Sequence, residues 1–206
     1  MADVMAATDE TDRLVALSDG VFAIAITLLV LDIPVPETGG GASAEFLGSF
    51  VRAQGIDVFA YVLSFLVIGL YWVLHRNTFV HIRRHDTRLL WLNLLFLLAV
   101  SFLPYPTSVL TAFPNEFGVI FYAASQTAAG ATLVAVWVYA SRQELFAEGI
   151  RSRAVRVRIA RFAVSPLVFV LSIPVALFDP RLGILCWLAL LPLNGYLQSR
   201  FVGNGD

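Results

Sequence analysis

Five stretches of this chain run uncharged for longer than a water-soluble fold tolerates. They are Val58–Leu74 (17 residues), Leu89–Asn115 (27), Phe117–Ser141 (25), Phe162–Phe178 (17) and Leu182–Ser199 (18). About 20 apolar residues carry a helix across a bilayer. In hydrocarbon the backbone has to satisfy its own hydrogen bonds, so such runs become helices. The 27-residue run is expected to end early at its proline pair, Pro104 and Pro106. Composition agrees with a membrane protein. The chain is 58% hydrophobic and 14% charged, against about 45–50% and about 25% in soluble domains. A chain of 206 residues could not bury that much apolar surface by itself. These values exclude a water-soluble enzyme. A net charge of −1 also excludes a nucleic-acid-binding protein.

The first apolar segment differs from the other five. Between Asp19 and Asp32 lie only twelve uncharged residues, GVFAIAITLLVL. At 1.5 Å per residue they cover roughly 18 Å of a core about 30 Å thick. A full-length span over Leu14–Ile33 therefore has to take Asp19 into the membrane. With that span the chain reads as an all-α integral membrane protein of six transmembrane helices. They lie at about 14–33, 56–75, 89–111, 117–140, 159–178 and 182–198, in a single domain over residues 1–206.

The arginines orient the bundle. Twelve of fourteen lie before the first span, in the 76–88 and 142–161 loops, or after the last span; only Arg52 and Arg181 lie on the opposite side. The positive-inside rule then puts both termini in the cytoplasm, which an even number of spans also requires. The expected location is the inner (plasma) membrane. The first thirteen residues hold four acids and one arginine, unlike a secretory signal with its basic start and early apolar run. The dense basic stretch at 151–161 is expected to meet anionic lipid heads. Residues 34–57 form the longest outer connection, in which FLGSFVRAQ has the pattern of a short interfacial helix. The prolines of the later spans, Pro104 and Pro106, Pro166 and Pro174, and Pro192, are expected to kink helices.

No catalytic constellation is present, and Cys186 stands alone, so neither a disulfide framework nor a cysteine metal site is available. His81 and His85 have a metal-ligand spacing, but the two arginines between them repel a cation. No enzyme activity, cofactor or metal is expected.

Polar residues within the spans are informative because they are costly there. Asp19 lies about 7–8 Å past the helix start. His75 closes the second span at the cytoplasmic end, and Asn93 lies five residues into the third, which starts from the same side. The three share a depth. His75 could donate to Asp19, Asn93 can donate or accept, and Ser18 and Arg13 are close enough to join. Such a group commonly serves as a polar clamp between helices. Farther along the first helix, Ile24, Leu28 and Leu31 fall at i, i+4 and i+7 and form one stripe, bordered by Thr27. Ile24 lies near mid-bilayer. The residues alone leave this stripe open between helix packing, lipid contact and a pore lining. Gly20, Ala23 and Ala25 permit close helix approach.

Arg13-Leu-Val-Ala-Leu17-Ser18-Asp19-Gly20 followed by VFAIAITLLVLDI resembles the R-x-x-x-F-S-D-G signature of the bacterial relatives of an endolysosomal potassium channel, transmembrane protein 175. Trp72-x-x-His75, Trp91-Leu92-Asn93-Leu94-Leu95 and FLPYP at 102–106 continue the resemblance through the third span. Leu17 stands where the signature has phenylalanine. The resemblance implies a potassium-permeable cation channel, also open to other monovalent cations. It implies a homotetramer whose first helices line a pore that lacks a TVGYG filter. Ile24 is then the narrowest hydrophobic ring, Leu28 and Leu31 extend it, and Thr27 supplies a ring of hydroxyls. Arg13, Ser18, Asp19, His75 and Asn93 become a polar network at the cytoplasmic base. Membrane lipids are the other expected partner. Two alternatives stand beside the channel: a secondary transporter with a midplane site, hinted at only by the prolines, and a non-conducting membrane scaffold.

Overall fold

A computed structural model of the chain describes residues 2–35, 43–146, 152–188 and 190, with side chains from Arg13 onward except at 47 and 152–161. Among the described residues every regular element is a helix, and a single antiparallel bridge joins Ile82 to Phe146. Helix α1 spans Ala2–Leu28 and tightens into a 3-10 turn over Leu29–Asp32. Then come α2 (Ala44–Ala53), α3 (Gly55–Phe79), α4 (Thr87–Phe102), α5 (Pro104–Ala112), α6 (Glu116–Arg142), α7 (Ser152–Ala176) and α8 (Pro180–Leu188). Among the described residues, four helical segments are long and apolar enough to cross a membrane: Arg13–Asp32, Gly55–Phe79, Thr87–Ala112 and Glu116–Arg142. In α7 the apolar portion is Phe162–Ala176. The span expected at 182–198 begins in α8 and otherwise lies outside the described residues, apart from 190.

Local chemistry accounts for the helix starts. Asp86 caps α4 by accepting from the Leu89 amide at 2.8 Å. Asn115 does the same for α6 from Gly118, at 3.3 Å, and Ser43 for α2 from Phe46, at 3.2 Å. Each cap satisfies an amide that has no partner within its helix. The connection after α1 is closed by the Gln54 side chain, which donates to the Pro34 carbonyl.

The proline pair kinks its span, as expected of prolines in a membrane helix, and does not end the 27-residue run early. Pro104 breaks α4 but opens α5 at once, and the segment continues to Ala112. Proline is tolerated at a first helical position because that amide has no helical partner to lose. The Leu103 carbonyl is served by the Thr107 amide (3.3 Å) and by the Thr107 hydroxyl (2.9 Å). The result is a kinked span, not an early end.

Helices α6 and α7 form the most extensive pair in the fold. They approach closely because Gly130 faces Pro166. A Cβ on Gly130 would meet the proline ring carbons at 2.8–3.0 Å, closer than packed atoms tolerate. Tyr122, Phe169 and Trp187 fill the space between α6, α7 and α8. The Trp187 indole lies 4.8 Å from the Tyr122 ring and donates to the Ser172 hydroxyl at 2.8 Å. At the Arg-rich end, the backbone amides of Arg83 and Arg84 bond the Leu145 carbonyl, and Tyr139 donates to Asp86. The 80–86 connection is thereby clasped to the end of α6. Helix α1 packs on α3 and α4, which leaves its opposite side bare.

Candidate functional site

Helix α1 has two unlike faces. Phe22 (1% exposed), Ala25 (1%) and Leu29 (0%) are buried against α3 and α4. Ile24 (62%), Leu28 (42%) and Leu31 (75%) point away from the subunit. Gly20, Ala23 and Thr27 share the exposed side, and nothing approaches the Gly20 Cβ position within 4 Å. The helical period makes the division, since positions three and four apart share a face. The Thr27 hydroxyl donates back to the carbonyls of Ala23 (2.9 Å) and Ile24 (3.0 Å). Its hydrogen is therefore turned inward, and the oxygen lone pairs remain available to a cation on the bare face.

The Arg-rich end of α1 carries two polar contacts. In the first, Asn93 links α1 to α3 from its place on α4. Its amide nitrogen donates to Ser18 Oγ at 3.3 Å, and its carbonyl oxygen lies 2.8 Å from His75 Nε2. An amide oxygen only accepts, so His75 donates through Nε2. Ser18 in turn donates to the Leu14 carbonyl at 2.9 Å. The His75 ring stacks on Phe96 (centroids 5.6 Å apart) and lies 4.4 Å from the Phe79 ring, and its Nδ1 is buried without a partner. Ser18, His75 and Asn93 are all fully buried. The bond is directional and enclosed by aromatic rings, which fixes the rotation of α1 against α3 and α4.

Asp19 belongs to the second contact. It is exposed, and its carboxylate accepts from the Trp72 indole N–H at 2.8 Å. His75 could donate to Asp19 on shared depth alone, but its Nε2 is engaged with Asn93. The donor that reaches Asp19 is Trp72, one turn before His75 on α3. The sequence does signal this residue: positions i and i+3 share a helix face, so Trp72 and His75 both turn toward α1. The guanidinium of Arg76 lies over the Trp72 ring, 5.9 Å from its centroid, within cation–π range. Arg13 is exposed at the same end and stands apart from both contacts among the described residues.

Residues 13–104 match the family described as endosomal/lysosomal potassium channel TMEM175. A potassium channel of Streptomyces collinus is 39% identical over 175 residues, which covers 82% of this chain and 83% of that one. The endosomal/lysosomal proton channel TMEM175 of Bos taurus is 40% identical over 111 residues, covering 51% of this chain and 23% of its own length. Among solved structures, the lysosomal potassium-selective channel TMEM175 homolog from Chamaesiphon minutus superposes with a TM-score of 0.76 at 27% identity, covering 93% of this chain and 98% of that one. The family match spans α1 through the break after α4, the helices that present the bare stripe and hold it in place, and the likeness to the Streptomyces channel extends over most of the chain: this protein belongs to the TMEM175 channel family.

Proposed function

We propose that this protein is a potassium-permeable cation channel that assembles as a homotetramer around its α1 helices. One observation carries the reading. The side of α1 that packs against nothing holds Ile24, Leu28 and Leu31 together with Gly20, Ala23 and Thr27. Asp19 is exposed beside this face, so a first helix turned wholly to lipid would carry a carboxylate into hydrocarbon, which is expensive. Around a central axis the bare face meets water at Thr27 and closes on itself at the aliphatic rings, with Asp19 beside it at the base, held by Trp72. Ile24, about 15 Å from Leu14 along the helix, is the narrowest ring, with Leu28 and Leu31 beyond it. Rings of such side chains close a path by dewetting, without a plug. Ser18, Asn93 and His75, with Asp19 and Trp72, hold each helix in register, and Arg13 adds positive charge at the base.

The proposal includes six spans, the fifth carried by α7 and the sixth beginning in α8, with both termini in the cytoplasm of the inner membrane. The arginines at 151–161 then face anionic lipid heads. The outer segments carry Asp32, Glu37, Glu45, Asp57, Glu116 and Asp179 against Arg52 and Arg181, an excess that concentrates cations at that mouth.

Purified protein in liposomes tests the reading. A channel passes potassium passively, with flux that rises linearly with the gradient, and sodium and proton fluxes measured alongside set its preference. Flux that saturates with potassium identifies a transporter, and intact tetramers without flux identify a scaffold.

A further inference from the structure

A second polar group lies inside each subunit, away from the α1 face. Ser64 on α3, Thr107 on α5 and Tyr122 on α6 are enclosed, with Gln126 one turn beyond Tyr122. Ser64 and Gln126 lie nine and ten residues into their helices, about 14–15 Å from the ends, hence near mid-bilayer. Thr107 Oγ1 and Tyr122 Oη lie 2.9 and 3.0 Å from Ser64 Oγ.

Each hydroxyl owns one hydrogen, and this determines the direction of the chain. Thr107 spends its hydrogen on the Leu103 carbonyl. Ser64 must therefore donate to Thr107, and Tyr122 to Ser64. On the other side, Tyr71 spends its hydrogen on the backbone carbonyl of Gln126 at 2.9 Å, so Ser165 donates to Tyr71 across 3.3 Å. No hydroxyl hydrogen is left for the Gln126 side chain. Its amide adjoins Tyr122, yet neither Oε1 nor Nε2 meets a partner in hydrogen-bond geometry, and the residue is fully enclosed. A buried donor and acceptor without partners each cost on the order of 1–3 kcal/mol, and glutamine has no apolar reason to occupy the place.

We propose that the Gln126 amide is a binding site for an ordered water molecule in the interior of every subunit. One water can accept from Nε2–H and donate to Oε1 in a closed pair. Its remaining hydrogen can go to the lone pair of Tyr122 Oη, which the direction of the chain leaves free. That supplies the three bonds typical of a buried water. The water completes a polar seam from α5 through α3 to α6, which the Gln126 backbone carbonyl continues to Tyr71 and Ser165 on α7. The seam ties the α6–α7 pair to the helices behind α1 and is separate from the pore proposed above.

A structure of the reconstituted protein at better than about 2 Å, with a Gln126→Met variant compared by thermal unfolding in the same detergent, tests this. We expect density for one water within about 3 Å of both amide atoms and of Tyr122 Oη, and a lower unfolding temperature for Gln126→Met. A dry amide bonded directly to Tyr122 overturns the proposal. So does a Gln126→Met variant as stable as the parent or more so, since removing a dry unpaired amide relieves its cost. If the variant fails to fold, the density at Gln126 in the parent decides alone.

Discussion

At the scale of single residues, Ile24 and Trp72 carry the sharpest expectations. Ile24 stands 62% exposed in the subunit, so replacing it does not disturb the subunit core. A polar side chain there wets the proposed ring. Ile24→Asn is expected to raise conductance several-fold in planar bilayers; unchanged current across a series of side-chain sizes at this position would remove the gate from Ile24. Trp72 acts at the other end of α1. Its indole N–H is the donor found for the Asp19 carboxylate. Trp72→Phe keeps an aromatic ring under Arg76 and deletes that donor together with the pyrrole half of the indole. The expected loss is about 1 kcal/mol of stability, at the low end for a bond to a charged group because Asp19 is exposed. It is read as a lower unfolding temperature with potassium preference unchanged. A stable variant with altered ion preference would instead place Asp19 in direct contact with the ion.

At the scale of elements, the clasp between the 80–86 connection and α6 depends on Asp86. The Tyr139 hydroxyl and the Leu89 amide both donate to its carboxylate and hold its pKa below the ordinary value near 3.8, with the Tyr139 bond the larger cause. A carboxyl group whose folded pKa is depressed stabilises the fold at every pH above its unfolded value. That contribution fades only as the pH falls through the folded value. The clasp therefore holds throughout the neutral range and weakens only below about pH 4. Asp86→Ala should cost about 1 kcal/mol through loss of the α4 cap. The penalty should be present at pH 7 and shrink progressively as the pH falls below about 4, as the parent loses the same interaction. A pH-independent difference between the two unfolding curves would assign the effect to packing instead.

At the scale of the whole molecule, one subunit presents one stripe, and one stripe cannot enclose a path. Several copies have to converge on an axis, and closed rotational symmetry is the usual solution. The open space over Gly20 leaves room for the close approach that a narrow ring needs. We expect the detergent-corrected mass of the purified particle to equal four subunits. With Cys186 replaced by serine, Ile24→Cys should crosslink between subunits. Gly20→Leu should leave the subunit folded and prevent its assembly, because a Cβ at this position meets nothing within the subunit. A conducting monomer contradicts this account, since its path would have to run inside one subunit.

What the sequence determined by itself is the membrane-spanning, all-helical character of the chain and the existence of a special first helix. Uncharged runs near 20 residues have few alternatives in hydrocarbon, where every backbone group must find its partner within the same helix. Asp19 interrupts the first run at a cost that calls for a reason. The i, i+4, i+7 spacing of Ile24, Leu28 and Leu31 is enough to place them on one face. The tertiary structure decided who meets whom. Trp72 rather than His75 reaches Asp19, Pro104 kinks its span without ending it, Gly130 receives Pro166, and Ser64, Thr107 and Tyr122 gather around one seam. Helices α3, α4 and α6 are apolar on nearly every side, so hydropathy carries almost no information about their rotation. Rotation comes from close packing and from a few directional hydrogen bonds. Those depend on the positions of several helices at once, which no single segment encodes.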